Sequence, residues 1–299
     1  MSGGIKVLRA GPLATIQDAG RFGMLRYGIG ASGPMVAGAF AAAGGLLERA
    51  GTAGIELTRT GLDFTAETDV IAGFSGGAFT LTVNGEARDW NAAHGLAAGD
   101  TVRIAPGAWG NYGYIRFDRE IDVPLLLGSQ ATNSTVGLGG FDGRALVAGD
   151  RVRFGDEAHT VQAPVAPPEQ PADAAIRVIW GLHADLFPAA MRKQFVETAF
   201  VISKRLDRMG VRLDRGGVFP DSRILSLVSD AVVPGDIQIL GDGTPIVLMR
   251  DHQPTGGYPR IATVISADID RFAQLRPGTQ VRFEPVILKK ALAAGEGRA

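Results

Sequence analysis

Leu96-Ala97-Ala98-Gly99-Asp100-Thr101-Val102-Arg103-Ile104 returns twice along the chain. The second version is Leu146-Val147-Ala148-Gly149-Asp150-Arg151-Val152-Arg153-Phe154, and the third is Leu275-Arg276-Pro277-Gly278-Thr279-Gln280-Val281-Arg282-Phe283. Each reads as a glycine turn feeding a strand, because glycine enters positive φ without a Cβ penalty and the residues after it alternate apolar and polar. Val102, Val152 and Val281 are expected to face a core, and Arg103, Arg153 and Arg282 to face solvent. The copies are irregularly spaced, which excludes a solenoid. One barrel-building unit recurring in two related β domains fits instead.

The surrounding sequence agrees. Glycine supplies 42 of 299 residues, about twice ordinary usage, and it recurs at the ends of short β-rich runs. Between Gly54 and Phe117 these runs follow one another closely, and Asn84-Gly85 between two of them is a hairpin signal. Helices are few. The alanine-rich stretch Met35 to Ala50 is one, with Pro34 near its start and Gly51 as its stop. A second is expected near Pro188 to Glu197. A third runs from Ser266 to Leu275, with Ser266 as its cap and Asp268 and Asp270 near its positive end. Residues 288–299 carry few large apolar side chains and are expected to fray.

From Asp156 to Ala175 the apolar periodicity disappears, and Pro164, Pro167, Pro168 and Pro171 cluster there. That stretch is the predicted linker. The chain then reads as mainly β with a few helices, in two β-barrel-like subdomains at residues 1–160 and 175–290.

Composition excludes several functions. With 30 basic and 31 acidic residues the formal charge is -1, so there is no electrostatic footprint for nucleic acid or an anionic membrane. No cysteine is present, which removes thiolate catalysis and cysteine zinc sites. The four histidines lack metal-ligand spacing, so no metal is expected. The start has no signal-like apolar region and no run is long enough to span a bilayer, so a cytoplasmic protein is expected. There is also no phosphate loop, no His-Glu-x-x-His and no nucleophile elbow.

Two polar clusters remain. Gly11 to Gly23 places Gln17, Asp18 and Arg21 between glycines and is followed by Ser32-Gly33-Pro34-Met35. It offers backbone donors and a guanidinium fork suited to a carboxylate or amide ligand. The competing reading is an Asp18–Arg21 pair that only fastens the loop. Asp251-His252-Gln253-Pro254-Thr255-Gly256-Gly257-Tyr258-Pro259-Arg260 follows an apolar strand and suits a ligand rim, or else a solvated turn. A weaker cluster, Arg205 to Gly210, reads as a paired surface loop.

These clusters carry a family resemblance. The stretch Gly11 to Arg21, Ser32 to Met35, Ile121-Asp122-Val123-Pro124 through Leu127-Gly128-Ser129, Asp207 to Gly210, Pro234 to Gln238 and Gln253 to Pro259 resemble, in order, the carboxyltransferase-like family. That family covers the C subunit of 5-oxoprolinase, the second subunit of allophanate hydrolase and part of the carboxyltransferase domain of urea carboxylase. The chain departs from its pattern at Val36, where relatives are acidic, at Arg119-Glu120, and at His252 and Pro254. The resemblance implies two cyclophilin-like β-barrel subdomains. It implies a hydrolase subunit that opens 5-oxoproline to glutamate with ATP, active only beside a homologous companion subunit and a third subunit, with ATP held by a partner. The alternatives are a biotin-dependent carboxyltransferase component acting on urea or a related amide, or a non-catalytic regulator binding a kinase-inhibitor partner. Asp251, His252 and Gln253 are the expected catalytic residues. Gln17, Asp18, Arg21, Ser32, Gln238, Thr255, Gly256, Gly257, Tyr258 and Arg260 are the expected contacts to a small amide or lactam.

Overall fold

The computed structural model describes residues 3–161, 163–170, 174–214, 219 and 227–296. Gln162 and residues 171–173 of the predicted linker lie outside them, as do residues 297–299 of the predicted frayed end. Packing divides the chain into two compact units, Met1–Met24 with Ala31–Gln170, and Leu25–Gly30 with Pro171–Ala299. Among the described residues, no helix is long and apolar enough to cross a membrane.

The three glycine turns have one geometry. Gly99, Gly149 and Gly278 have φ of 96°, 97° and 90°. Their N–H groups donate to the carbonyls of Ala66, Val7 and Ile202, each at 2.8 Å. The carbonyl of the residue after each glycine accepts from the N–H of that same neighbouring-strand residue, at 2.8–2.9 Å. The strands they feed bury Val102, Ile104, Val152, Phe154, Val281 and Phe283 and expose Arg103, Arg153 and Arg282. The expected inward and outward faces are the observed ones.

In the first unit a seven-stranded sheet runs Arg119–Ile121, Arg151–Glu157, Gly4–Ala10, Leu62–Ala66, Thr101–Pro106, Phe79–Val83, Glu86–Arg88. A five-stranded sheet runs Thr15–Gln17, Gly54–Thr58, Tyr112–Phe117, Val70–Gly76, Ala93–Leu96. One apolar core joins them, with Ile5, Phe64 and Ile104 from the first and Ile16, Phe74 and Ile115 from the second. Asn84 and Gly85 take φ of 54° and 86° in a tight hairpin, as the dipeptide predicted.

In the second unit a single eight-stranded sheet is nearly closed into a barrel. Its inner row is Phe200–Leu206, Gly210–Asp214, Pro245–Leu248, Asp236–Ile239, Arg260–Val264, Ile176–Trp180. The third glycine unit supplies both outer strands. Gln280–Val281 pairs with Phe200–Leu206 at one end, and Phe283–Pro285 pairs with Ile176–Trp180 at the other. One short segment thus bridges both edges. Phe195 stacks on Phe283 beneath it, with ring centroids 5.2 Å apart.

Some local expectations are corrected. The first helix is Ala37–Gly45, shorter than Met35 to Ala50, and Val36 precedes it without a side-chain cap. Ser266 is the first residue of the helix Ser266–Ala273 rather than its cap, since Ile265 takes the cap position. Leu288–Glu296 is a helix rather than a frayed end. Its Ala, Leu and Lys residues are strong helix formers, a property that counting large apolar side chains overlooked.

Candidate functional site

The first polar cluster is a buried clamp. Asp18 accepts from the N–H of Gly20 at 2.9 Å, from Ser129 Oγ at 2.7 Å and from the N–H of Gln130 at 2.6 Å. Arg21 donates to the carbonyls of Leu126, Ser129 and Ala131 at 2.8, 3.3 and 3.0 Å. Two motifs a hundred residues apart in sequence are therefore one local structure. Gln17 donates to Thr15 Oγ1 and the Thr132 carbonyl. Its Oε1 is buried with no hydrogen-bond partner among the described residues, as is Ser32 Oγ. Ser32 sits at φ 57°, followed by Gly33 at 83°. The chain then passes Met35, whose N–H donates to the buried Glu56 carboxylate at 2.7 Å, and Val36, whose N–H donates to Tyr114 Oη at 2.8 Å. Behind this segment, Arg116 lies over Phe40 and donates to carbonyls of Gly51 and Phe40, and burial pushes its pKa down to about 10.

The second cluster belongs to the other unit. Arg208 forms a bidentate pair with Asp251 at 2.8 and 3.1 Å, with side chains only 3% and 2% exposed. Backbone bonds join the same segments, since Met249 N–H donates to Met209 and Asp251 N–H donates to Arg208. Asp207 Oδ1 accepts from the N–H groups of Met209 and Gly210 and holds the turn. The Arg205 to Gly210 cluster is a paired loop with Arg205 and Asp207 exposed, and its buried Arg208 mounts the 251–260 loop through Asp251.

His252 is buried, and its Nδ1 lies 2.7 Å from the Gln253 carbonyl. A carbonyl only accepts, so Nδ1 carries a proton and donates to it. Thr255–Gly256 pairs with Asp230–Ala231 as a two-stranded ribbon, and the Gly257 carbonyl accepts from Leu227 N–H. Arg260 is buried and bound by the Ala231 carbonyl at 2.7 Å, by Asp236 at 3.4 Å and by Asp230. Its N–H donates to His183 Nδ1 at 3.2 Å. Burial and the Arg260 cation lower the His183 pKa, which preserves that acceptor.

A cleft of about 450 Å³ opens beside this loop. Its floor follows the sheet register, in which Arg212 pairs with Ile246 and Ile246 pairs with Gln238. Gly210 pairs with Leu248 in the next row. A Cβ on Gly210 would meet Ile246 Cδ1 at 2.8 Å, so the glycine of the Asp207 to Gly210 motif makes room for the floor. Gln253 and Tyr258 line the cleft from the loop, and Lys204 and Arg205 line it from the adjoining strand.

Gln238, Gln253 and Tyr258 of the expected residues thus meet in one cleft. Asp251, His252, Thr255, Gly256, Gly257 and Arg260 build the loop around it without lining it. Gln17, Asp18, Arg21 and Ser32 form the clamp of the first unit. Sequence reasoning missed Lys204 and Arg212 and read Arg205 only as part of a surface loop. The signal available was the alternation of Gly210 and Arg212 against the buried Val211 and Leu213. Among the described residues, no group of His, Asp and Glu side chains has the geometry to hold a metal.

The model of the carboxyltransferase domain, subdomain A and B, matches residues 27–285. The chain is 34% identical over 298 residues to the C subunit of 5-oxoprolinase from Escherichia coli, covering 97% of this chain and 94% of that one. It is 31% identical to the C subunit of 5-oxoprolinase from Haemophilus influenzae, covering 96% and 93%. It is also similar to the crystal structure of the K. lactis urea amidolyase, with a TM-score of 0.86 at 25% identity, covering 99% of this chain and 19% of that one. The chain belongs to the carboxyltransferase domain family of subdomains A and B.

Proposed function

We propose that this chain is one component of a multi-component, ATP-dependent 5-oxoprolinase that opens 5-oxoproline to glutamate together with partner subunits. The observation that carries the reading is similarity to two 5-oxoprolinase C subunits along nearly the whole of both chains. The cleft is consistent with it. Lys204, Arg205 and Arg212 suit a carboxylate, Gln238 and Gln253 suit a lactam amide, and Tyr258 offers a flat face to a small ring.

Ring opening adds water across the lactam C–N bond and yields a carboxylate and an amine. In this reading Gln253 contacts the lactam, His252 is its catalytic neighbour in the loop, and Asp251 fastens the start of that loop to Arg208. Gln17, Asp18, Arg21 and Ser32 are the proposed contacts of the first unit, held in its clamp. ATP is held by a partner, because this chain carries no phosphate loop. The partners are a homologous companion subunit and a third subunit. Residues 1–160 and 175–290 are the folding subdomains, divided within Asp156 to Ala175.

The match to urea amidolyase favours one second reading, a carboxyltransferase acting on urea or a related amide with carboxybiotin. The biotin would come from a partner, since Ala190-Met191-Arg192 lacks the lysine of a carrier motif. The deciding experiment measures turnover by the chain combined with its companion subunits, using 5-oxoproline with ATP in one arm and urea with bicarbonate, ATP and a biotinylated carrier in the other. Glutamate formation in the first arm alone supports the 5-oxoprolinase reading, and activity in the second arm alone overturns it.

A further inference from the structure

We propose that Gln238 is the specificity-determining residue of the second unit's cleft. Its buried Nε2 amide donates to a carbonyl oxygen of the bound molecule, while Lys204 and Arg212 hold that molecule's carboxylate. The proposal deepens the reading above and rests on it for the choice of a carboxylate-bearing lactam as ligand.

The first observation is an amide with unused donors. Gln238 is 1% exposed, it lines the cleft, and Nε2 has no hydrogen-bond partner among the described residues. Its Oε1 receives Gln253 Nε2 at 3.5 Å, which leaves the Nε2 hydrogens as the free side of the group. A buried donor without a partner costs about 1–3 kcal/mol, and a ligand oxygen would remove that cost.

The second observation is how Gln238 is accommodated. A Cβ on Gly256 would lie 2.4 Å from Gln238 Nε2. Only glycine at position 256 lets the amide keep its place. The contact is with the end of a flexible side chain, so an alanine there would displace the amide and leave the fold intact.

The third observation is charge. Lys204, Arg205 and Arg212 line the cleft with one carboxylate, Asp207, whose Oδ1 is already taken by two backbone N–H groups, and Asp242 outside the lining is the carboxylate that feels Arg212. None of the three cations has an ion-pair partner within salt-bridge distance among the described residues. Arg212 and Gln238 flank Ile246 in one cross-strand row. Their backbones are therefore two strand spacings apart, about 10 Å. Ile246, Leu248 and Leu240 between them offer an apolar floor for ring methylenes.

The experiment is calorimetric titration of the full chain with three probes: 5-oxoproline, proline, which lacks the ring carbonyl, and pyrrolidin-2-one, which lacks the carboxylate. The unmodified chain should bind 5-oxoproline at least about tenfold more tightly than either of the others. Gln238→Leu and Gly256→Ala should each weaken 5-oxoproline about tenfold or more and leave proline unchanged. Arg212→Leu should weaken 5-oxoproline and proline and leave pyrrolidin-2-one unchanged. All three variants should melt within a few degrees of the parent. Unchanged 5-oxoproline affinity in Gln238→Leu, equal loss of proline and 5-oxoproline in that variant, or no binding of 5-oxoproline by the parent chain would each overturn the assignment. Turnover by the assembled enzyme is scored separately. Turnover with a silent Gln238 sinks this subsite alone, whereas Gln238-dependent binding without turnover sinks the proposed reaction alone.

Discussion

Asp251→Asn removes one charge from the buried pair with Arg208 and keeps the shape of the side chain. Both partners are nearly inaccessible and meet at 2.8 and 3.1 Å. With charge centres about 4 Å apart and an effective dielectric of about 20, the lost attraction is about 4 kcal/mol. That agrees with the loss of about 3–5 kcal/mol expected when one side of a buried pair is removed and the other stays buried. The variant should therefore unfold at clearly lower urea, followed by far-ultraviolet circular dichroism. Arg208→Met should cost a similar amount. The double variant Arg208→Met with Asp251→Leu should lose less than the sum of the single changes by about 1 kcal/mol or more, because neither charge is then stranded. At temperatures where Asp251→Asn is still folded, its cleft should bind ligand more weakly, since the pair mounts the loop that carries Gln253 and Tyr258. A loss below about 1 kcal/mol for Asp251→Asn, or strict additivity in the cycle, would refute the idea that this pair holds the loop.

Four further outcomes are expected. Gly149→Ala should cost about 1–2 kcal/mol, because φ is 97° and nothing lies within 4 Å of the new Cβ. Gly61→Ala should cost more in the same urea assay, because its Cβ would fall 1.9 Å from the Ile104 carbonyl oxygen. Burial raises the Asp268 carboxyl, but bonds from Arg177 and Arg271 outweigh it and leave the group below its ordinary value. A depressed carboxylate stabilises the fold fully above its unfolded pKa of about 3.9, and that contribution fades as pH falls through the folded value. Asp268→Asn should accordingly flatten the drop in melting temperature below about pH 4. Limited proteolysis should cut first within Asp156 to Ala175, and early cutting inside Gly54 to Phe117 would contradict the proposed division.

The parts of the fold that were legible in the sequence are local. A glycine followed by alternating Val and Arg carries both its turn and its sidedness in nine residues, so the three units could be read before any pairing was known. The clamp could not be read that way. Apart from the local Gly20 N–H, Asp18 and Arg21 find their side-chain partners 105–112 residues away, mostly at backbone groups that no residue type announces. Burial of Asp251 and Arg260 was hidden for the same reason, since Arg208 and Asp236 are brought to them only by the sheet. The cleft cations show the limit best. Lys204, Arg205 and Arg212 look like ordinary surface charges until the register sets Arg212 beside Ile246 and Ile246 beside Gln238. Gln238 itself was indicated by its motif, and the unpartnered amide that gives it a role is visible only in three dimensions.

The most direct test of the account is ATP-dependent conversion of 5-oxoproline to glutamate by the chain combined with its companion subunits, compared with each component alone and with the mixture lacking this chain. The account predicts turnover only in the complete mixture, and its loss when Gln253→Ala replaces the parent chain at unchanged melting temperature. Full activity of the isolated chain, or undiminished activity of the partners without it, would contradict the account.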